Sequence, residues 1–428
     1  MMQVTLSKVV AYHSNAENCV GCRMCVDSCP SGALSSRFNG NLLTISLNAE
    51  ICTGCGVCVD VCPFNALDLI SRDKLKEFKI EVDILRPEKT EKRKYYMIAR
   101  KVVDVSYCTG CGACTVCPPK GIIWKDGIVD FPDWIKNCRD CAICIKVCQR
   151  YKSILKGGLG GILEVRGARS KRFKGQDGAI VSEFIACALE MGVIDTALMV
   201  SRDEYWKPIV VHVKHPDQLK NERIAGTKYS LAPVLPELNR IIKKAGRLAI
   251  VGTPCIITGL RLLQKEIPLY NKVVLAISLF CMENYRYSSL VEFLNEHNID
   301  IKKVKRFDIR RGRFVVHLDN GIFECSVKDL EEHVSSGCNY CRDFTGVDSD
   351  VSVGSAGTPD GYSTILIRSK IAKEIYDYMV ENEYVEEIDV DFDAVEKLCK
   401  FKIRRAKVRT QEEVEKDKNE FIVRGKPS

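Results

Sequence analysis

The residues best equipped for chemistry in this sequence are cysteines, and their spacing is regular. The chain has 428 residues and 23 cysteines, most of them gathered between Cys19 and Cys148. They fall into four runs: CVGCRMCVDSCP (19–30), CTGCGVCVDVCP (52–63), CTGCGACTVCP (108–118) and CRDCAICIKVC (138–148). The first two follow C-x2-C-x2-C-x3-C-P without departure. In that pattern three thiolates of one run hold one [4Fe–4S] cube, and the fourth ligates the cube of the partner run. Cys19, Cys22, Cys25 and Cys62 are therefore expected to form one ligand set, and Cys52, Cys55, Cys58 and Cys29 the next. The third run has two residues, not three, between Cys114 and Cys117, and Cys148 is followed by Gln149. The same crossover pairs Cys108, Cys111 and Cys114 with Cys148, and Cys138, Cys141 and Cys144 with Cys117. Zinc also takes C-x-x-C ligands, but it needs two such knuckles rather than triple runs closing on Cys-Pro.

Disulfides are the other use of many cysteines. The N-terminus MMQVTLSKVVAY lacks an apolar signal core, so a reduced, cytoplasmic setting is expected, and metal is the better reading there. The longest apolar run, VVLAISLFCM (273–282), is too short to span a bilayer. The formal net charge of +8 does not by itself indicate nucleic acid. Five cubes at roughly −2 each would leave the loaded protein near −2, and no basic tract is interleaved with stacking aromatics.

Elements must position these thiols. Two-residue gaps let a tight loop wrap three corners of a cube, and glycines such as Gly21, Gly54 and Gly56 permit close backbone approach. The proline ends the short helix that follows. GNLLTISL (40–47) and GIIWKDGIVDF (121–131) read as small hairpins. The expected divisions are a ferredoxin-like module at 1–72, a charged linker with a hairpin of its own at 73–100, a second module at 101–155, an α/β domain at 156–400 and a charged tail at 401–428. The glycines of KGGLGG (156–161) mark the main boundary. Beyond them, strands such as IDTALMV, PIVVHV, RLAIVG and KVVLAISLFC alternate with helical stretches such as GAIVSEFIACALEMG. This predicts an α/β domain with a largely parallel sheet and antiparallel additions. RGRFVVHLDNGIFECSV (311–327) predicts a hairpin turning at Asp319-Asn320-Gly321. RLAIVGTPC places a turn at the carboxyl end of a strand and Pro254 at the first helical position, a setting suited to anions and cofactors. Cys255, Cys281, Cys338 and Cys341 could hold one more cube, although no spacing rule requires it. Cys187, Cys325 and Cys399 read as ordinary buried residues.

Several stretches of this domain together resemble the coenzyme F-420 hydrogenase/dehydrogenase beta-subunit family: GQDGAIVSEFIACALEMGVID (175–195), AGTKYS (225–230), AIVGTPC (249–255), LFCMENY (279–285) and CNYCRDFTGVDSDVSVGSAGTPDGYSTILIRS (338–369). The resemblance covers nearly all of 157 to about 370, with one departure at GQDGAIVS, where the family favours a Gly-Gly pair. It implies FAD and a fifth [4Fe–4S] cluster on Cys255, Cys281, Cys338 and Cys341. It also implies flavin contacts at Gly178 and at Gly226, Thr227, Lys228 and Tyr229, with Lys228 adding charge near the pyrophosphate. Thr253 and Asn284 are further flavin or substrate contacts. Coenzyme F-420 is a deazaflavin hydride carrier with a phosphate and an oligoglutamate tail, so a cationic entrance is expected, with Arg310, Arg311 and Arg313 as candidates.

The function so implied is an F-420 oxidoreductase subunit. FAD exchanges hydride with F-420, and single electrons pass along the clusters to or from a metalloenzyme subunit. Hydrogenase, formate dehydrogenase, formylmethanofuran dehydrogenase, carbon monoxide dehydrogenase and heterodisulfide reductase types all fit. No acid or base side chain is assigned to catalysis, because the cofactors carry the bond chemistry. The alternatives are a flavin-free relay subunit, or a family relative reducing another substrate; no sulfite-reductase extension is expected.

Overall fold

The computed structural model describes residues 7–78, 80–85, 97–132, 138–152, 154 and 156–408. The large domain is built on an eight-stranded sheet. In spatial order its strands are Pro208–Val213, Thr196–Arg202, Leu248–Gly252, Val273–Leu279, Val351–Gly354, Ser363–Ile367, Glu164–Ser170 and Val385–Ile388. Thr196–Arg202, Leu248–Gly252, Val273–Leu279 and Val351–Gly354 run parallel, and the remaining pairings are antiparallel. The sheet is thus parallel at its centre and antiparallel towards both edges. The strand Leu248–Gly252 is buried at every position, as expected for a parallel strand covered on both faces. Helices Ile180–Glu190 and Lys370–Glu381 pack on each other. Val234–Ile241 packs on Pro254–Glu266.

Pro254 stands at the first helical position after Thr253, as its missing N–H favours. The predicted hairpin is present as Arg313–Leu318 with Gly321–Ser326, and Val304–Arg310 adds a third antiparallel strand.

Each ferredoxin-like module is small. The first has the strand pair Val9–Tyr12 with Asp68–Ser71, and the hairpin Leu34–Asn39 with Leu42–Leu47. Glu81–Leu85, from the expected linker, pairs with Leu42–Leu47. Val82 and Ile84 thereby bury their side chains against the module core, a gain that a free hairpin would lack. The rest of the linker, 86–96, lies outside the described residues, as does the tail from 409 onward. The second module turns at Asp126-Gly127 between Ile123–Lys125 and Ile128–Asp130, both turn residues having positive φ.

Neither module hangs free. One continuous core joins Leu43 and Phe64 of the first module, Val116 and Ile143 of the second, and Leu235, Leu260 and Leu263 of the large domain. Leu269 N donates to Asn18 Oδ1 at 2.8 Å, and Asn239 Nδ2 donates to Thr115 Oγ1 at 2.9 Å. The helix Phe392–Arg405 runs through the division expected at 400, because Val395, Cys399 and Lys402 on one face are buried.

Candidate functional site

All four cysteine runs bend the backbone in the same way. The residue before the second cysteine and the residue after it are both left-handed: Gly21 and Arg23, Gly54 and Gly56, Gly110 and Gly112, Asp140 and Ala142. Such turns aim successive N–H groups into one concavity that favours negative charge. Gly110 N donates to Cys108 Sγ and Asp140 N to Cys138 Sγ, each at 3.4 Å. That Arg23, Asp140 and Ala142 adopt this conformation without glycine's freedom is a local cost.

The shortened third run keeps its geometry by changing helix type. Its turn, Ala113–Val116, is a 3-10 turn, whereas the other runs use α-turns at Met24–Asp27, Val57–Val61 and Ile143–Lys146. Three residues at about 2.0 Å rise cover roughly the 6 Å that four residues cover at about 1.5 Å. Cys117 thus reaches the neighbourhood of Cys138 and Cys141 despite the missing residue.

The thiols fall into sets by mutual repulsion. Cys25 faces Cys19 and Cys62, and Cys22 faces Cys62 and Cys25. Cys58 faces Cys52, Cys29 and Cys55, and these four line one cavity together with Pro30, Gly54 and Gly56. Cys114 faces Cys148, Cys108 and Cys111. Cys144 faces Cys141, Cys117 and Cys138. Burial, and then these neighbours, push the thiols of Cys25 and Cys117 up to about 12, and that of Cys58 to about 11. So many buried thiols are stable as ligands only when a cationic group compensates the thiolate charge. Among the described residues no three Cys, His, Asp or Glu side chains gather around a single-ion point, as a tetrahedral zinc site needs.

The fifth set forms where two neighbouring parallel strands end. Cys255 follows Leu248–Gly252 and lies in the first turn of Pro254–Glu266, Cys281 follows Val273–Leu279, and Cys338 and Cys341 come from the turn at Ser336–Tyr340. Carboxyl ends of parallel strands are the usual ligand edge of such sheets. Cys255 faces Cys281 and Cys341, and Cys338 faces Cys255 and Cys341. Burial raises Cys281 and Cys338 to about 12.

The sets also lie within electrostatic reach of one another, in an order that differs from the sequence. Cys25 reaches Cys58 inside the first module. Between modules, Cys22 faces Cys141, and Arg139 and Asp27 close an ion pair across the same joint. Inside the second module, Cys144 faces Cys148. At the last joint, Cys255 faces Cys111, and Gln149 Nε2 donates to Cys255 O at 2.8 Å. Arg150 donates to Gly337 O at 2.9 Å and Tyr340 O at 3.2 Å while lying over the Tyr107 ring. The succession runs from the set containing Cys55, which is exposed, through those of Cys22, Cys141 and Cys111 to that of Cys255.

The residues expected at a flavin converge in part. Gln176 bridges two of the stretches: its Oε1 accepts from Thr227 N at 2.9 Å, and its Nε2 donates to Asp308 Oδ1 at 3.1 Å. Gly178 packs so closely that an added Cβ would lie 2.6 Å from Ala168 O. Tyr229 O accepts from Tyr285 N at 3.1 Å, which carries this loop to Asn284 and the fifth set. Thr253 Oγ1 lies 3.3 Å from Cys255 Sγ, and Asn284 O lies 3.8 Å from Cys338 Sγ. These two residues therefore border the cysteines rather than the Gly178 turn. Ser230 Oγ and Ser335 Oγ are buried at this junction without a partner among the described residues, polar atoms that a bound cofactor would satisfy. Gly226 carries a positive φ of 80°.

Several of the expected cations are engaged within the chain. Lys228 does not extend a free charge: its Nζ donates to Ile224 O, Ala225 O and Gly226 O. Burial, and then Arg202, pull it down to about 7. Its ammonium shapes its own loop. Arg310 is held by Asp308 at 2.6 Å and Asp360 at 2.5 Å, and Arg313 by Glu324 at 2.7 Å. Cys187, Cys325 and Cys399 are buried, as expected. Sequence reasoning did not single out Gln176, Arg150, Ser230, Ser335 or Lys402. Of these, Gln176 lies inside the quoted GQDG turn and Ser230 closes the quoted AGTKYS stretch.

The C-terminal family model of the coenzyme F-420 hydrogenase/dehydrogenase beta subunit matches residues 245–392, and its N-terminal counterpart matches 165–239. A 4Fe-4S dicluster domain matches 18–66, and a 4Fe-4S double cluster binding domain matches 51–120. A coenzyme F-420-dependent sulfite reductase of Methanocaldococcus jannaschii is 34% identical over 75% of this chain and 53% of its own length, so the chain spans about half of that relative. A coenzyme F-420 hydrogenase subunit beta of Methanothermobacter thermautotrophicus is 32% identical over 58% of this chain and 94% of its own. A chain in the structure of the F-420-reducing [NiFe] hydrogenase complex from Methanosarcina barkeri aligns with TM-score 0.56 at 29% identity, covering 64% of this chain and 98% of that one. Among the described residues no helix is long and apolar enough to cross a membrane.

Proposed function

Since the chain belongs to the coenzyme F-420 hydrogenase/dehydrogenase beta-subunit family and carries 4Fe–4S domains, we propose that it is the F-420-handling subunit of an iron–sulfur oxidoreductase complex. Two cofactors complete it: bound FAD supplies the exchange between hydride and single electrons, and five [4Fe–4S] clusters supply the one-electron steps. The chain's own residues hold, orient and insulate these groups. Gln176, Thr227, Tyr229 and the unpartnered Ser230 and Ser335 hydroxyls would hold the flavin, with Gly178 and Gly226 shaping the turns and Lys228 locking its loop. Thr253 and Asn284 stand between that place and the fifth cysteine set. The twenty cysteines in five sets would hold the clusters.

The observation that carries this reading is the succession of thiol sets, from exposed Cys55 to the set of Cys255, whose member Cys338 borders the 229–231 and 284–285 backbone junction at Asn284. A one-electron relay requires such continuity. The partner is a subunit with its own redox metal centre, docking near Cys55.

Anaerobic purification followed by flavin release and iron counting tests the proposal. About one FAD and about twenty irons per chain are expected, with turnover of reduced F-420 against a viologen dye. Full iron without flavin would leave only a relay subunit, and zinc in place of iron would remove the scheme.

A further inference from the structure

The basic C-terminal helix Phe392–Arg405 hides one of its lysines. Lys402 is 1% exposed and ranks among the largest fully buried side chains. Its Nζ donates to Cys281 O and, at 2.8 Å, to Asp343 O. Cys281 belongs to the fifth set, and Asp343 lies two residues beyond Cys341. Among the described residues Lys402 forms no ion pair. Asp343, the acidic group facing it, turns its own carboxylate onto Gly346 N at 2.7 Å and Val347 N at 3.2 Å. Glu283, also near, is taken by Arg405 of the same helix. Phe280, Met282, Phe344, Val395 and Cys399 pack as an apolar cluster beside it, so water does little to screen its charge.

An ammonium buried against neutral carbonyls is expensive unless opposite charge lies nearby. The thiols of Cys281, Cys341 and Cys338 lie within its electrostatic reach. We propose that Lys402 is a fixed counter-charge that sets the reduction potential of the iron–sulfur group on Cys255, Cys281, Cys338 and Cys341. This rests on the proposed function, in which these cysteines hold such a group. One-electron reduction adds a negative charge there, and a neighbouring ammonium stabilises the reduced state without any bond or proton changing place. Lys402 is thus a positioning and tuning residue. It makes the cluster nearest the flavin site the better electron acceptor.

The test is a redox titration of the anaerobic holoprotein, followed by electron paramagnetic resonance. The fifth cluster's signal is identified as the one that Cys338→Ser loses. Lys402→Met should lower the reduced-to-oxidised ratio of that signal about tenfold at fixed poise, which is 59 mV for one electron. The other signals should stay in place, and Lys402→Arg should restore most of the shift. Should Lys402→Met lose iron, Lys402→Gln replaces it, since an amide can still donate to both carbonyls without carrying charge. A wild-type titration in an iron-replete Lys402→Met or Lys402→Gln variant overturns the proposal, as does an equal shift in Lys402→Arg. Failure of the underlying reading looks different: Cys338→Ser would then retain every signal and all its iron.

Discussion

Gly337→Ala should loosen the joint between the second ferredoxin-like module and the large domain. A Cβ at Gly337 would lie 2.0 Å from Cys108 O, 2.6 Å from Cys108 C and 3.0 Å from Thr109 N. All three are backbone atoms, so no side-chain rotation relieves the clash. A carbon–oxygen contact sits at about 3.3–3.6 Å, so the two chains must part by roughly 1.3 Å. Overpacking of this kind costs about 1–3 kcal/mol. The movement also strains the bond from buried Arg150 to Gly337 O, and losing a hydrogen bond from a charged group costs about 1.5–3 kcal/mol. The variant should therefore lose roughly 2.5–6 kcal/mol of docking free energy. Denaturant unfolding followed by separate probes, flavin fluorescence for the large domain and iron release for the modules, should show two transitions in place of a shared one. Rapid-mixing reduction with reduced F-420 should still reach the fifth cluster but slow beyond it, while dithionite reduces all clusters. Wild-type unfolding together with wild-type reduction of every cluster would refute the reasoning that this contact seats the module.

Other predictions follow from the same geometry. Cys138→Ser with Cys141→Ser should strand the clusters of both first-module sets from reduced F-420, whereas Cys52→Ser with Cys58→Ser should strand none; residual reducible iron reads the difference. If instead the latter pair isolates the Cys19 set, then the Cys52 set is the one that adjoins the second module. Cys117→Ser should lower the iron content by about four atoms, and unchanged iron would remove Cys117 from the ligands. Lys228→Met should lower flavin retention without changing iron, because the loop carbonyls that its ammonium gathers lose their donor; equal flavin content in both proteins counts against that role. His13 is buried and its pKa falls to about 4, through burial. The fold thus favours the neutral ring: its contribution is fully present above about 6.5 and is lost as pH falls from there towards 4, amounting to about 1–3 kcal/mol. Urea unfolding between pH 7 and 5 should show that slope in the wild type and a flatter one in His13→Phe.

Much of the site was legible because its chemistry is local. Three cysteines that gather on one side of a set come from one tight loop, so C-x2-C-x2-C writes them directly into the sequence. The crossover expected of paired runs places the fourth cysteine beside the opposite run, and Cys62 lies near Cys25 and Cys29 near Cys58. Alternating strands and helices likewise identified the α/β domain, since parallel strands need covered crossovers. Even the short third run obeyed, by tightening its turn.

Tertiary packing decided the rest. Chain order would place the Cys52 set next to the second module. Yet the ion pair of Arg139 with Asp27 and the approach of Cys22 to Cys141 bring the Cys19 set there instead. The strand Glu81–Leu85 looked like linker because its partner is forty residues away. Lys228 and Arg310 looked like free cations because charge is written in the sequence, whereas the carbonyls and carboxylates that absorb it are not. Lys402 is the clearest case: it sits in a charged stretch with the pattern of a solvated helix, and only the cleft between Cys281 and Asp343 turns it inward. Spacing along a chain specifies which atoms can share one cofactor. Which cofactors become neighbours, and which charges lie beside them, depends on surfaces brought together from distant segments.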